Sequence, residues 1–248
     1  MIGHLRCCMQ WEDEGVILAL DRFGERQFIA SCFGREHGIR RGLLRQAGRH
    51  GRPYQLADLV TISWRARHED RLGTFTMEPK RHAPLAMFSD RKVLAMVQSS
   101  ISLIRGFCGE SEAHRGLFDG LDALLLAADQ QSLWRSVYLR FELLLLADIG
   151  YAMDLNKCAV TGSYDDLLYV SPRTGRAVSA SGAFGYEHRM LPLTPGLKDP
   201  KNVDDDAMLI DALQVTGHFL EKAAGDLVAP KFLHARNDLT KLLHGDAS

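Results

Sequence analysis

A chain of 248 residues with 46% hydrophobic and 25% charged content can fill the core of one large domain or two small ones. Its longest apolar runs, Leu124 to Ala128 and Leu143 to Ala147, are far too short to cross a bilayer, and MIGHLRCCMQW has no signal-peptide pattern. The formal net charge of −1 conceals 14 Lys+Arg against 10 Asp+Glu from Met1 to His82, and 16 against 21 beyond it. Either the N-terminal part meets a polyanion, or the imbalance is ordinary surface variation.

Met1 to Cys8 carry no strand or helix pattern, and the true start of the chain is expected at Met9, with the preceding residues disordered or loosely attached. Short strands follow. They are expected at Gly15 to Arg22, Gln27 to Phe33, Gly38 to Arg45, Asp58 to Arg67 and Gly73 to Glu78. The fourth alternates cleanly, with Val60, Ile62, Trp64 and Ala66 on one face and Thr61, Ser63, Arg65 and Arg67 on the other. In the fifth, Phe75 and Met77 face the core. Five short strands joined by turns, with no long helix among them, suit a small Greek-key barrel.

Near Arg81 to Pro84 strand periodicity gives way to helical periodicity, so a boundary is expected there, with domains at 1–82 and 83–248. Ser89-Asp90 can cap a helix that lays Val93, Val97, Ile101 and Ile104 on one face and ends near Gly109. A second helix spans His114 to Asp129, with Leu117, Leu121, Leu124 and Leu125 inward. The third reads as buried, with Trp134, Val137, Tyr138, Phe141, Leu144, Leu145 and Asp148 at helical spacing and Gly150 as its stop. After it come a short helical turn, a loop at Cys158 to Ser163, and two apolar runs, Leu167 to Val170 and Ala177 to Ser179. Ser171-Pro172-Arg173-Thr174-Gly175 joins those runs into a small hairpin. Leu191 to Lys201 reads as a surface loop. Asp204-Asp205-Asp206 opens a helix bearing Met208, Leu209, Ala212, Leu213, Phe219 and Leu220, and a last helix runs from about Lys231 to His244 with Leu239, Leu242 and Leu243.

A long helix feeding a hairpin with a Cys at its mouth has the outline of a zinc ribbon, inserted at about 150–190. Arg140-Phe141-Glu142-Leu143, Ile149-Gly150-Tyr151, Cys158-Ala159-Val160-Thr161-Gly162 and Ser171-Pro172-Arg173-Thr174-Gly175 follow one another in that stretch. Together with WEDEGVIL at Trp11 to Leu18 and TGHFLE at Thr216 to Glu221, this order resembles the RecO family of bacterial DNA repair proteins, over nearly the whole chain. The resemblance implies an α+β fold, with an N-terminal five-stranded OB-fold barrel followed by an all-helical domain that carries the ribbon-like hairpin. It also implies a recombination mediator that binds single- and double-stranded DNA, anneals complementary strands and assists loading of the RecA recombinase with RecR. The acidic C-terminal tail of single-strand-binding protein is a further implied partner. Arg135 is one candidate to receive that tail, because a basic residue beside an apolar helix groove is required.

Catalytic signatures are missing from the sequence: there is no GxxxxGK[ST] loop, no GxGxxG opening a helix and no GxSxG elbow. His68-Glu69 begins like HExxH, but Leu72 stands where the second His must be. The Asp204 to Asp206 run reads as a helix cap rather than a magnesium site. No cofactor is expected. A structural zinc needs four Cys or His ligands. Thr161 stands where the second Cys of the pair would be, Val178 to Ser181 offers nothing, and His188 is the nearest other ligand type. Cys158 is then a small core residue within packing by Val160, Leu167, Leu168, Tyr169 and Val170. Five Cys without paired spacing fit a reducing compartment, so the chain is expected in the cytoplasm, associated with the nucleoid.

The strongest functional signal is arginine. Arg35, Arg40, Arg41, Arg45, Arg49 and Arg52 fall within 18 positions, opposed only by Glu36, and Arg65 and Arg67 leave the polar face of the fourth strand. The planar guanidinium grips phosphate with two bonds at once and also stacks on bases. These eight form the expected DNA-binding set, with Phe33 and Tyr54 as residues that either stack on bases or sit in the core. A solvated face with local ion pairs is the alternative. A hydrolase or nucleotide-modifying enzyme built from scattered His and Asp, or an interaction scaffold, are the other readings. Because Met1 to Cys8 lack any packing pattern, deleting them should leave the melting temperature unchanged; a large drop on thermal unfolding of the truncated chain would show that they are packed.

Overall fold

The computed structural model describes residues 9–25, 27–45, 54–67, 72–130, 132–227 and 230–245. The expectations for Met1 to Cys8, Arg49, Arg52 and His68-Glu69 lie outside those residues. The chain divides into two compact units, Met1–Pro84 with Cys108–Asp122, and Leu85–Phe107 with Ala123–Ser248.

The first unit is a closed five-stranded barrel in the order β1-β2-β3-β5-β4, formed by β1 (Met9–Arg22), β2 (Gln27–Gly34), β3 (Gly38–Arg45), β4 (Leu59–Ala66) and β5 (Gly73–Arg81). Four antiparallel pairings and one parallel pairing, β3 with β5, close it. This is the strand arrangement of the OB-fold. β1 begins six residues before the run that β-branched composition picks out, at Met9 rather than Gly15. Its first half, Met9 to Val16, pairs with β4, and its second half pairs with β2 across a bulge between Ile17 and Ala19. The bulge lets one strand bend between two neighbours.

Inside, Ile17, Ala30, Cys32, Leu44, Val60, Ile62, Trp64, Phe75 and Met77 form the core, and burial pushes the Cys32 thiol well above its ordinary pKa. A Cβ on Gly73 would fall 2.1 Å from Trp64 Nε1, so only glycine lets β5 pass the indole. On the outside, Cys108–Asp122 covers the β2–β3 corner. Ser111 N donates to Ile39 O at 3.0 Å, and Phe118 meets Phe33 with ring centroids 6.0 Å apart.

In the second unit, α1 (Arg91–Phe107) starts at Asp90, whose carboxylate accepts from Lys92 N at 2.8 Å and from Val93 N at 3.4 Å. α2 (Arg115–Ala127) gives its first two turns to the barrel unit. α3 (Trp134–Asp148) ends at Gly150, whose φ is +86°. The ribbon follows as β6 (Leu167–Val170) and β7 (Ala177–Ser179), at the bounds that the apolar runs set. The stretch from Leu191 to Lys201 is not a bare surface loop. It holds a third strand, β8 (Leu191–Pro192), paired with β6, and a one-turn helix, α4 (Pro195–Lys198), on the Thr194 cap, with Leu193 and Leu197 buried. α5 (Asp206–Leu227) is capped by Asp205, which accepts from Met208 N at 2.7 Å, and α6 (His234–Leu243) completes the unit. Among the described residues, no helix is long and apolar enough to cross a membrane.

The central helix departs from its sequence pattern in one respect. Leu144 and Asp148 are exposed, whereas Glu142 is fully buried. Arg236 of α6 donates from Nε to Glu142 Oε1 at 2.8 Å and from Nη2 to Oε2 at 3.1 Å, while Thr216 Oγ1 of α5 donates to Oε2 at 2.5 Å. Nη2 also reaches Leu213 O at 2.7 Å. Burial acts to lower the Arg236 pKa, but the carboxylate outweighs it and holds the guanidinium charged. Beside the pair, burial and the Glu142 charge push the Tyr138 pKa well up, and its hydroxyl shares a 2.7 Å hydrogen bond with Ser99. Arg236→Ala would strand the Glu142 charge in the core. It should cost about 3–5 kcal/mol in denaturant unfolding, and a loss below about 1 kcal/mol would show that the pair is not the lock between these helices.

Candidate nucleic-acid interface

Alternation along the strands sorts the arginines. Leu44 and Gly42 of β3 face the core, so Arg40 points inward as well, while Arg41, Leu43 and Arg45 point outward. Arg40 is only 8% exposed, with its guanidinium 5.6 Å over the Trp64 ring. That end of the barrel is closed by a stack in which His37 lies on Trp11 at 4.0 Å and Trp11 on Trp64 at 5.3 Å. The buried Asp13 carboxylate holds the neighbouring turn by accepting from Glu36 N at 2.9 Å and His37 N at 3.0 Å.

Arg41 and Arg45 are exposed on the outer face, where Ser31 and Gln27 are their partners on β2. Leu43, between them, belongs to a row that crosses the sheet as Asp21, Ile29, Leu43, Thr74 and Arg65. Arg65 therefore shares this face, and exposed Arg67 follows just beyond β4. Ile29 and Leu43 are half-buried, giving a partly apolar floor between cations. β1 bounds the face with Glu12, which accepts from Ser63 Oγ at 3.0 Å, and Glu14, which is paired with Lys80.

Arg35 stands elsewhere, on the β2–β3 turn. It donates to Asp119 at 3.0 Å and lies 5.8 Å over the Phe118 ring. The structure thus brings Arg41, Arg45, Arg65 and Arg67 together and separates Arg35 and Arg40 from them, while Arg49 and Arg52 lie outside the described residues. Phe33 is fully buried core, and Tyr54 packs on the core with its hydroxyl donating to Met77 O at 2.5 Å. The exposed aromatic of the barrel is Phe23, in the β1–β2 turn. An aromatic directly before a turn glycine, outside the alternating pattern, was the signal for it in the sequence.

In the ribbon, Cys158 is buried with Val178 and Ala183. Val160 and Leu168 are exposed, so they are not part of that small core; Leu167, Tyr169 and Met190 pack there instead. The sulfur accepts from Ser179 N at 3.2 Å, Ser179 Oγ at 3.3 Å and Thr161 N at 3.3 Å. Burial raises the Cys158 pKa, but these donors prevail and bring it from 9.0 to about 6. Since the folded-state value is the lower one, the sulfur's contribution to stability is complete above about pH 9 and is lost as pH falls through about 6. Hydroxyls and amides hold the thiolate where metal ligands would stand, so the residues present do not fit a zinc ion. Among the described residues, no group of His, Cys, Asp and Glu could hold a metal.

A groove of about 890 Å³ in the helical unit is lined by Arg91, Lys92, Trp134, Arg135 and Leu242 among others. Arg135 Nε donates to Asp206 at 2.7 Å, Lys92 Nζ donates to it at 2.5 Å, and the Arg135 guanidinium lies 4.8 Å over the Trp134 ring. Burial raises the Asp206 pKa, but the two cations overcome it and hold the carboxyl below its ordinary value.

The fold is an OB-type barrel followed by a helical unit with an inserted ribbon. Residues 9–81 match the family described as "Recombination protein O N terminal", and residues 89–226 match "Recombination protein O C terminal". The chain is 41% identical over 236 residues to the DNA repair protein RecO of Roseobacter denitrificans, covering 92% of this chain and 95% of that one. It is 36% identical to that of Caulobacter vibrioides, with 89% of each chain covered, and 35% identical to that of Anaplasma marginale strain Florida, covering 86% and 91%. The chain belongs to the RecO family, whose role is in DNA repair and recombination.

Purified without added metal, the protein should carry no stoichiometric zinc by elemental analysis, and chelator should leave its melting curve in place. One zinc per chain would overturn the ligand assignment.

Proposed function

We propose that this chain is a non-enzymatic recombination mediator that holds DNA on the outer face of its barrel. Arg41, Arg45, Arg65 and Arg67 form the centre of that face. The observation that carries this reading is the row across the sheet that sets Arg65 level with Leu43, between Arg41 and Arg45. Guanidinium groups at this spacing, over a half-apolar floor, suit a phosphate backbone whose bases or sugars touch the sheet. Arg49 and Arg52, which follow β3 in the sequence, extend the set. Arg35 and Arg40 contribute through the fold, the first by its ion pair with Asp119 and the second by its seat over Trp64.

Such a face binds single- and double-stranded DNA and brings complementary strands together for annealing, in the cytoplasm on the nucleoid. With RecR, the protein assists recombinase loading. The groove beside Arg135 is our candidate for the acidic tail of single-strand-binding protein. Arg91, Lys92 and Arg135 would meet its carboxylates, and Leu242 its apolar end.

Strand annealing by purified protein, without nucleotide or metal, tests the mediator reading; turnover of a substrate would favour an enzyme, and neither result a scaffold. Single-strand affinity should fall with a log–log salt slope of roughly −3 to −4, about −0.7 for each of about five phosphates. Changing Arg41, Arg45 and Arg65 together to Glu should abolish most of the affinity and flatten the slope. If both stay as they were, the barrel face is not the binding surface.

A further inference from the structure

The β1–β2 hairpin ends in a tight turn, in which Phe23 N donates to Gln27 O at 2.8 Å and Gly24 has a φ of +72°. Phe23 and Gln27 thus stand opposite one another at the hairpin tip. Gln27 is in turn the cross-strand partner of Arg45, so the turn holds Phe23 two strand spacings from the cation at the end of β3, with β2 between them. The next row along the sheet is the one that runs from Asp21 through Ile29, Leu43 and Thr74 to Arg65. At this tip 52% of Phe23 is exposed, although the barrel core lies within a few residues of it. By contrast, Phe33 is fully buried against Phe118, and Tyr54 has its hydroxyl engaged and its ring on the core. Among the described aromatics of the barrel, Phe23 is the exposed one.

An aromatic ring next to a cationic strip interacts with a nucleic acid differently from the cations. Arginine meets phosphate, which single strands and duplexes both present. A ring stacks on a base only when that base has a free face, which single strands offer and an intact duplex denies. The two kinds of contact are therefore separable by the ligand. We propose that Phe23 stacks on a base of single-stranded DNA lying across Arg45, Leu43 and Arg65, and so makes the barrel face prefer unpaired strands over duplex. This rests on the reading of that face as the DNA site and adds the residue that discriminates between its ligands. The turn geometry supports the role: the hairpin hydrogen bond fixes the backbone at Phe23, so only its side chain has to be ordered when a base settles on the ring.

The test measures binding by fluorescence anisotropy with three labelled probes of one length: oligothymidylate, an abasic strand with the same phosphates, and a duplex. Phe23→Ala in the full chain should weaken oligothymidylate binding about tenfold while changing the abasic strand and the duplex by less than about twofold. Its salt slope should match that of the unchanged protein, because no phosphate contact is lost. Phe23→Trp should restore or strengthen oligothymidylate binding, and thermal melting of each variant verifies that it is folded. An equal loss on all three probes, or no loss on oligothymidylate, overturns the proposal. The underlying reading is judged separately. If Arg41→Glu with Arg45→Glu lowers affinity for every probe while Phe23→Ala does nothing, the face stands and the stacking role fails. If the arginine changes do nothing either, the face itself is wrong.

Discussion

The helical unit turns on one buried charge. Glu142 lies on the central helix with no exposure to water, and an isolated carboxylate there would be too costly to keep ionised. Arg236 and Thr216 supply the compensation from two other helices, so α3, α5 and α6 must reach their native positions together for the charge to be satisfied. The same constraint sets local residue choice. A Cβ at Gly217 would fall 2.8 Å from Arg236 Nη1, which accounts for glycine directly after Thr216. The Arg-Phe-Glu-Leu segment and the Thr-Gly-His-Phe segment, far apart in sequence, thus meet at one buried carboxylate, which accepts from Thr216 and is ion-paired with Arg236 of α6. Such a pair adds little stability over an apolar equivalent, but it penalises any other register of the three helices.

In the barrel, function is a matter of which outer surface stays open. Segment Cys108–Asp122 uses up the β2–β3 corner, burying Phe33 and engaging Arg35 through Asp119. Arg81 is likewise tied to Asp122, and Arg115 to Glu36. Arg41, Arg45, Arg65 and Arg67 lie away from these ion pairs, on β3 and at the end of β4. A count of arginines by sequence mixes these two populations, whereas the strand register separates them.

Much of the architecture was legible in the sequence because period-2 and period-3.6 patterns are strong where one face is buried. The inward sets of β4 and β5, the apolar faces of α1 and α2 and the bounds of the ribbon hairpin all follow from that. What failed to show has identifiable physical causes. Met9 to Glu14 form strand although Glu12, Asp13 and Glu14 are acidic, because β4 supplies a partner that a local pattern cannot reveal. Leu191 and Pro192 are strand for the same reason, with β6 as partner. The inward turn of Arg40 needed the register of β3, since its charge argued for the surface, whereas its guanidinium lies over the Trp64 ring. Glu142 was hidden because its counter-ion lies 94 residues away. Within the candidate interface, the residue types were readable, but which of them share a face was not.

The split pairing of β1 also bears on how the barrel is made. Its second half meets β2 through a short hairpin, a contact that forms between near neighbours in sequence. Its first half meets β4 only after the chain has closed a loop of roughly fifty residues, a closure cost that the β1–β2 hairpin does not carry. Non-local pairing in the barrel is thereby held by this ladder and the parallel β3–β5 pairing, and assembly of the barrel depends on these two rather than on its hairpins.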